Sequence, residues 1–213
     1  VNSQTINNFN LTGKLNNTFY NYANISVTIN ATDLFLRNIT IYQNNKSNIT
    51  SLAVNGSNNI IVNLTTDGNY TLVAEAKDRI NSINSSYFYN VIIDTNIPTA
   101  SNALNRTASG NSTNILDNTD VNLTVFIGDI YFDRLNISHN ASGWVNHSIT
   151  LRGNGTYHLI IKSANLTSGE VVGWKYDAFD LAGNQLDQIN TFTVGSSATS
   201  SSSGESGGDT TSS

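Results

Sequence analysis

The sequence predicts an all-β chain of two antiparallel β-sandwiches in tandem, followed by a disordered C-terminal tail. Three observations predict it. Short segments with apolar residues at every second position recur between clusters of Asn, Gly, Asp and Ser, and no stretch holds a helical period over a useful length. The strand pattern of the first half returns in the second at a spacing of about one hundred residues. The last eighteen residues, SSATSSSSGESGGDTTSS, contain 15 Ser, Thr or Gly and no large apolar side chain.

The strands are read in order. Ile25-Val27-Ile29, Ile39-Ile41, Val62-Leu64 and Tyr70-Leu72-Ala74-Ala76 alternate with polar residues in the first half. Val121-Leu123-Val125-Ile127, Tyr157-Leu159-Ile161 and Val172-Trp174-Tyr176-Ala178 do so in the second. Successive side chains of a strand point to opposite faces, so each set defines one buried face. Asp67-Gly68 and Asn154-Gly155 mark turns.

The repeat is explicit in the residues. Asn24-Ile-Ser-Val-Thr-Ile matches Asn122-Leu-Thr-Val-Phe-Ile, Asn38-Ile-Thr matches Asn136-Ile-Ser, and Asn48-Ile-Thr matches Asn146-His-Ser, each at an offset of 98. Asp33-Leu-Phe-Leu answers Asp129-Ile-Tyr-Phe at an offset of 96. The strand ending Ala76-Lys77-Asp78 pairs with the one ending Ala178-Phe179-Asp180, and Trp174 then falls opposite Leu72 as a core residue. The only proline, Pro98, follows Val91-Ile-Ile-Asp-Thr-Asn-Ile, where it stops strand pairing and stiffens a joint. The expected division is 1–96, 97–195, and a Ser/Gly/Thr-rich tether over 196–213. As a random coil that tether reaches about 23 Å. It is also read as an O-glycosylated spacer.

A strand followed by Asp180-Leu-Ala-Gly-Asn184 and a final strand Asn190-Thr-Phe-Thr-Val resembles the immunoglobulin-like or fibronectin-III-like repeats of bacterial and archaeal surface proteins. The joint Ile93-Asp-Thr-Asn-Ile-Pro98 resembles the junction between such repeats, whereas Asp78-Arg-Ile-Asn-Ser82 departs from the hairpin pattern. The resemblance spans roughly residues 20–195 and implies two immunoglobulin-like sandwiches in a modular, non-enzymatic surface protein, without naming a ligand.

Compartment is written in the asparagines. Nineteen Asn-x-Ser/Thr sequons occur, at Asn10, Asn16, Asn24, Asn30, Asn38, Asn45, Asn48, Asn55, Asn63, Asn69, Asn84, Asn105, Asn111, Asn122, Asn136, Asn140, Asn146, Asn154 and Asn165. Random placement of the 35 Asn among 49 Ser and Thr gives about 8. Codon bias that inflates Asn inflates Lys as well, yet there are five Lys. The sequons are therefore read as selected acceptors of covalent N-glycans. Eleven of the nineteen middle residues are Leu, Ile, Ala or Tyr, so the sequon doubles as polar-out, apolar-in strand pattern. No sequon lies in 166–195, which marks that stretch as bare surface suited to an interface.

Composition narrows the class. Charged residues make up 12% of the chain, with a net charge of −5 and ten scattered basic residues, which leaves no electrostatic footprint for nucleic acid. With no Cys there is no disulfide framework, thiol catalysis or Cys-based metal site. Together with the sequons this points to an extracellular microbial, particularly archaeal, surface. No apolar run is long enough for a membrane span, and a start at Val1 is read as a removed signal peptide or an excised segment.

Chemistry is sparse. His139, His147 and His158 fit structural roles, no nucleophile elbow, phosphate loop or His-Glu-x-x-His occurs, and no enzyme is expected. No cofactor is required, with calcium the one alternative. Asp117, Asp120, Asp129 and Asp133 flank one strand, with Asp94 at the joint and Asp180 in a hairpin, all hard oxygen donors. Trp144, in Ser142-Gly-Trp-Val-Asn, is a candidate sugar-stacking residue. The leading expectation is a glycosylated stalk, coat or S-layer-like element in contact with itself or with neighbouring envelope proteins. Alternatives are an adhesin or carbohydrate-binding module, and a filament subunit whose segment 1–20 adds a strand to a neighbour.

Overall fold

The computed structural model describes residues 5–10, 16–33, 35–44, 46–52, 56–108, 110, 115–149 and 153–197, with 5–10 and 46–52 described at the level of the backbone. The expected tether lies outside the described residues from 198 onward. The first eight strands are β1 (Thr5–Asn10), β2 (Thr18–Tyr20), β3 (Asn24–Thr32), β4 (Leu36–Gln43), β5 (Lys46–Leu52), β6 (Gly56–Asn63), β7 (Gly68–Asp78) and β8 (Ile83–Ile93). The next seven are β9 (Thr99–Thr107), β10 (Val121–Gly128), β11 (Phe132–His139), β12 (Val145–Ile149), β13 (Gly155–Ile161), β14 (Val171–Asp180) and β15 (Gln185–Thr193). A single 3-10 turn, Ser163–Asn165, is the only helical element among the described residues.

The strands form four sheets with a repeated plan. In the first half β1-β3-β6 faces β2-β8-β7-β4-β5, and in the second β13-β10-β9 faces β12-β11-β14-β15. Matching β3 to β10, β4 to β11 and β7 to β14, the two halves share one order of three strands over four. Among the described strands only β2 is extra, paired in parallel with β8 from Thr18↔Val91 to Tyr20↔Ile93. Its counterpart in the second half is a single parallel bridge, Leu116↔Gly195. The N–H of Asp94 donates to the Tyr20 carbonyl at 3.0 Å, and that of Gly195 to the Ile115 carbonyl at 2.7 Å. Gly195 therefore stands where the first half has Asp94.

Burial follows the sequence pattern. One core cluster contains Ile25, Val27, Ile29, Ile39, Ile41, Leu72 and Ile93, and a second contains Val121, Leu123, Val125, Ile127, Ile137, Trp174 and Tyr176. Leu72 and Trp174, matched by the repeat, are both fully buried. β-Branched Ile and Val dominate because they fit the pleat and pack across the gap between sheets. Pro98 is buried between the end of β8 and the start of β9. The segment proposed to donate a strand to a neighbour is engaged within its own half, since β1 pairs antiparallel with β3 from Thr5↔Thr32 to Asn10↔Thr28.

Candidate functional site at the joint

The joint between the two core clusters gathers the acidic residues. Asp94 follows β8, Asp129 follows β10 and Asp180 ends β14. Each first serves its own turn: Asp94 Oδ1 accepts from Asn96 N–H at 3.2 Å, Asp129 Oδ1 from Tyr131 N–H at 2.6 Å, and Asp180 Oδ1 from Gly183 N–H at 2.7 Å and Asn184 N–H at 2.9 Å. Short carboxylates capping backbone amides a few residues ahead are the usual chemistry of Asp in turns. Gly183, at φ +95°, occupies the left-handed region that this hairpin demands.

The three carboxylates converge, with oxygens within 4.8 Å of one another. Asp94 is 6% exposed, Asp180 2%, and Asp129 half-buried. Asn184 ties the two halves together, its Nδ2 donating to the Asp94 carbonyl and to Asp180 Oδ2, each at 2.7 Å. Phe19 meets Tyr131 edge-on at 5.2 Å. Asp67 braces the linker from the side, accepting from Thr95 N–H at 3.1 Å, from the Thr95 hydroxyl at 2.9 Å and from Asn96 Nδ2. A cavity of about 530 Å³ opens here, lined by Asp67, Asp94, Asn96, Ile97, Asp129 and Tyr131 among others.

The electrostatics are unbalanced. Burial raises the Asp94 carboxyl above its ordinary value, opposed by the Asn96 amide and reinforced by the charges of Asp180, Asp129 and Asp67. Burial likewise raises Asp129, with Asp180 adding to it. No basic group enters either balance. Like charges taken from water must be neutralised by a proton or a cation. Asp180 spends its hydrogen-bonding capacity on its turn and Asn184, but Asp94 and Asp129 each keep one carboxylate oxygen without a donor among the described residues. Free carboxylate oxygens at the acidic rim of the cavity, with no basic group in their electrostatic balance, fit a hard divalent ion of the calcium type, which takes six to eight oxygens, water included.

Of the four aspartates that flank β10 only Asp129 joins this cluster, together with Asp94 at the joint and Asp180 in its hairpin, which the sequence also offered as oxygen donors. Asp117 and Asp120 precede β10 whereas Asp129 and Asp133 follow it, and an eight-residue strand is about 27 Å long, so the four cannot share one ion. Each of the other three has its own partner. Asp117 Oδ1 accepts from Ser197 N–H at 3.0 Å, and Ser197 lowers its pKa. Lys162 lies 2.8 Å from Asp120 and lowers its pKa. Arg134 lies 2.9 Å from Asp133. The sequence signal for the real cluster is the repeat itself, which sets Asp33 against Asp129 and Asp78 against Asp180.

Trp144 lies in the turn between β11 and β12, 62% exposed, after Ser142 and Gly143 at positive φ. His139 is buried, its ring 5.9 Å from that of His147, while His158 is exposed. Of the sequon asparagines, Asn16, Asn24, Asn63, Asn69, Asn146, Asn154 and Asn165 are exposed. Asn30, Asn38, Asn84, Asn105, Asn122, Asn136 and Asn140 are half-buried. The side chains of Asn10, Asn45, Asn48, Asn55 and Asn111 lie outside the described residues. The middle residues Ile25, Ile39, Leu64, Tyr70, Leu123, Ile137 and Leu166 are all buried, as the strand reading of the sequon requires. The sequon-free stretch forms β14 and the edge strand β15, which expose Val171 and Ile189 around Lys175, itself paired with Asp177 and Asp187.

Fold and joint define a class: two β-sandwiches of the fibronectin-III-like and immunoglobulin-like kind. No family model matches the chain, and no curated protein matches it. Similar solved structures include the fibronectin(III)-like modules of Clostridium thermocellum CbhA, at 12% identity over 89% of this chain and 95% of that one, with a TM-score of 0.44. A 1.5-MDa bacterial ice-binding adhesin matches at 13% identity over 91% of this chain and 66% of that one, with a TM-score of 0.47. A Ca2+-stabilised adhesin of an Antarctic bacterium that binds ice matches at 15% identity over 82% of this chain and 44% of that one, with a TM-score of 0.40. No helix among the described residues is long and apolar enough to cross a membrane.

Proposed function

We propose that this chain is a non-enzymatic, heavily N-glycosylated module of a prokaryotic cell surface. Its two domains, 1–96 and 97–195, act as a spacer in a stalk or coat, stiffened at the joint by a divalent cation. The observation that carries the reading is the convergence of Asp94, from the linker, with Asp129 and Asp180 from the second sandwich, without a basic partner among the described residues. A buried acidic cluster placed between two bodies makes their mutual orientation depend on a counter-ion, which is what a load-bearing spacer needs in a calcium-containing exterior and what a catalyst does not. The surface assignment and the archaeal setting rest on the sequon density together with the lack of Cys.

Small-angle scattering of the chain in calcium and after chelation tests the spacer. One narrow distribution of end-to-end distances in calcium that broadens on chelation supports it, and identical curves refute it. The adhesin alternative retains the exposed Trp144, and a glycan array probed with wild type and Trp144→Ala decides whether that ring binds sugar. The filament alternative needs a free donor strand, and β1 is already paired with β3.

A further inference from the structure

The outer face of β8 carries two tyrosines that a buried sandwich has no need to expose. Tyr87 and Tyr89 are 51% and 50% exposed, their rings parallel to within 4° and 5.9 Å apart. Val73 pairs with Tyr87 across β7 and β8 and alternates with the core residues Leu72 and Ala74, so it stands on this same outer face, yet it is only 7% exposed. Tyr42 pairs with Val73 from the other side. The result is an apolar strip on the solvent side of the five-stranded sheet.

A sequon is fastened to the edge of this strip. Asn16 Oδ1 accepts from the Tyr89 N–H at 2.9 Å, and Asn17 N–H donates to the Tyr89 carbonyl at 3.2 Å, so Asn16-Asn17-Thr18 grips both backbone groups of Tyr89. Asn17 holds its place at φ +64° through Asn90, whose Nδ2 donates to Asn17 Oδ1 at 2.6 Å. Asn16 is exposed, and its Nδ2, the atom that takes a glycan, has no partner among the described residues. The acceptor amide is therefore oriented by one oxygen and open at its nitrogen.

We propose that Tyr87 and Tyr89 form a seat for the N-glycan carried by Asn16, an inference that rests on the reading that the sequons are used. One face of a pyranose is a set of C–H groups, which the negative face of an aromatic ring attracts while both shed water. Stacking by a free sugar must offset the entropy of association, but a glycan tethered at the rim arrives at high effective concentration, so two rings suffice. That places the covalent sugar, rather than a soluble one, on the strip. The pinned glycan then shields β7 and β8 instead of sweeping freely through solvent.

The test uses the full chain made in a host that N-glycosylates secreted proteins. A glycopeptide map reports occupancy of Asn16, and thermal unfolding is compared for wild type, Y87T/Y89T, N16Q and the combined variant. Threonine keeps strand propensity, so the fold is retained. With Asn16 occupied, the tyrosine substitutions should lower Tm by about 3 °C more in the presence of Asn16 than in N16Q. Nuclear Overhauser contacts between the tyrosine ring protons and the first sugars should vanish in Y87T/Y89T. An occupied Asn16 with equal Tm shifts in both backgrounds and no ring-to-sugar contacts overturns the seat alone. An empty Asn16 overturns the glycosylation reading at this site and the seat with it. Tyrosine-dependent binding of free glycans by N16Q also overturns it, since the strip then serves a soluble ligand.

Discussion

In the first sandwich Asp33 Oδ1 accepts from Phe35 N–H at 2.6 Å, and Asp78 Oδ1 accepts from Ile80 N–H and Ser82 N–H, each at 2.8 Å. In the second, Asp129 and Asp180 do the same for Tyr131 and for Gly183 with Asn184. The two ends are one design, and capping turns is its inherited role. They diverge in what arrives from outside. Asp94 and Phe19 reach the second pair, Asn184 bonds back across the joint, and Phe35, the counterpart of Tyr131, stays exposed. A pair of turn carboxylates is thus structural by default, and a third from the linker makes it an acidic cluster. Gly195 in the place of Asp94 means that the second sandwich does not carry that third carboxylate onward.

Removing Asp180 should break this comparison most severely. Asp180→Ala orphans two backbone amides and the anchor of Asn184 in a site 2% exposed, and should cost about 3 kcal/mol together with any response to calcium. Asp78→Ala should cost about 2 kcal/mol through its two lost caps and leave the calcium response intact. Calorimetry of both variants, with and without calcium, separates the outcomes.

Asp94→Asn sharpens the contrast with less disruption, because the amide oxygen can still accept from Asn96. In the chelated protein the folded-state pKa values of Asp94 and Asp129 are raised. Acids of this kind bind more protons folded than unfolded, so their penalty is absent below the ordinary carboxylate value and grows as pH rises through the raised folded value. Chelated wild type should therefore lose stability relative to Asp94→Asn as pH rises above the ordinary carboxylate value of about 4, and calcium should restore it. Parallel profiles for the two proteins would contradict the linkage.

The smallest effect lies away from the joint. Burial lowers the pKa of His139, and the neighbouring His147 adds to it. A histidine held neutral contributes stability above its unfolded pKa and loses it as pH falls towards the lowered folded value. The second sandwich should thus unfold more readily at about pH 5.5 than at pH 7, and His139→Gln should flatten that slope. The first sandwich should show no such slope from this source.

Much of the fold was legible because alternation reports a face directly: the named Ile, Val and Leu positions are buried except Leu159, which is half-buried, and the repeat aligned β3 with β10 and β7 with β14. The site was legible only in part. Asp117 and Asp129 are twelve positions apart in sequence but at opposite ends of β10, whereas Asp94 and Asp180 are distant in sequence and meet in space. Sequence spacing orders residues along a strand and does not report which strand ends share a rim. Tyr87 and Tyr89 escaped notice for a related reason. Tyr87-Phe88-Tyr89-Asn90 does not reveal which side faces the core until a bulge at Asn90, φ +54°, is seen to leave both tyrosines outside.

The most direct test of the joint is a calorimetric titration of the chelated chain with calcium, run on wild type and on Asp94→Asn. One site per chain in wild type, lost in Asp94→Asn, is the predicted result. An unchanged isotherm in Asp94→Asn, or no binding by wild type, would contradict a cation-stiffened joint.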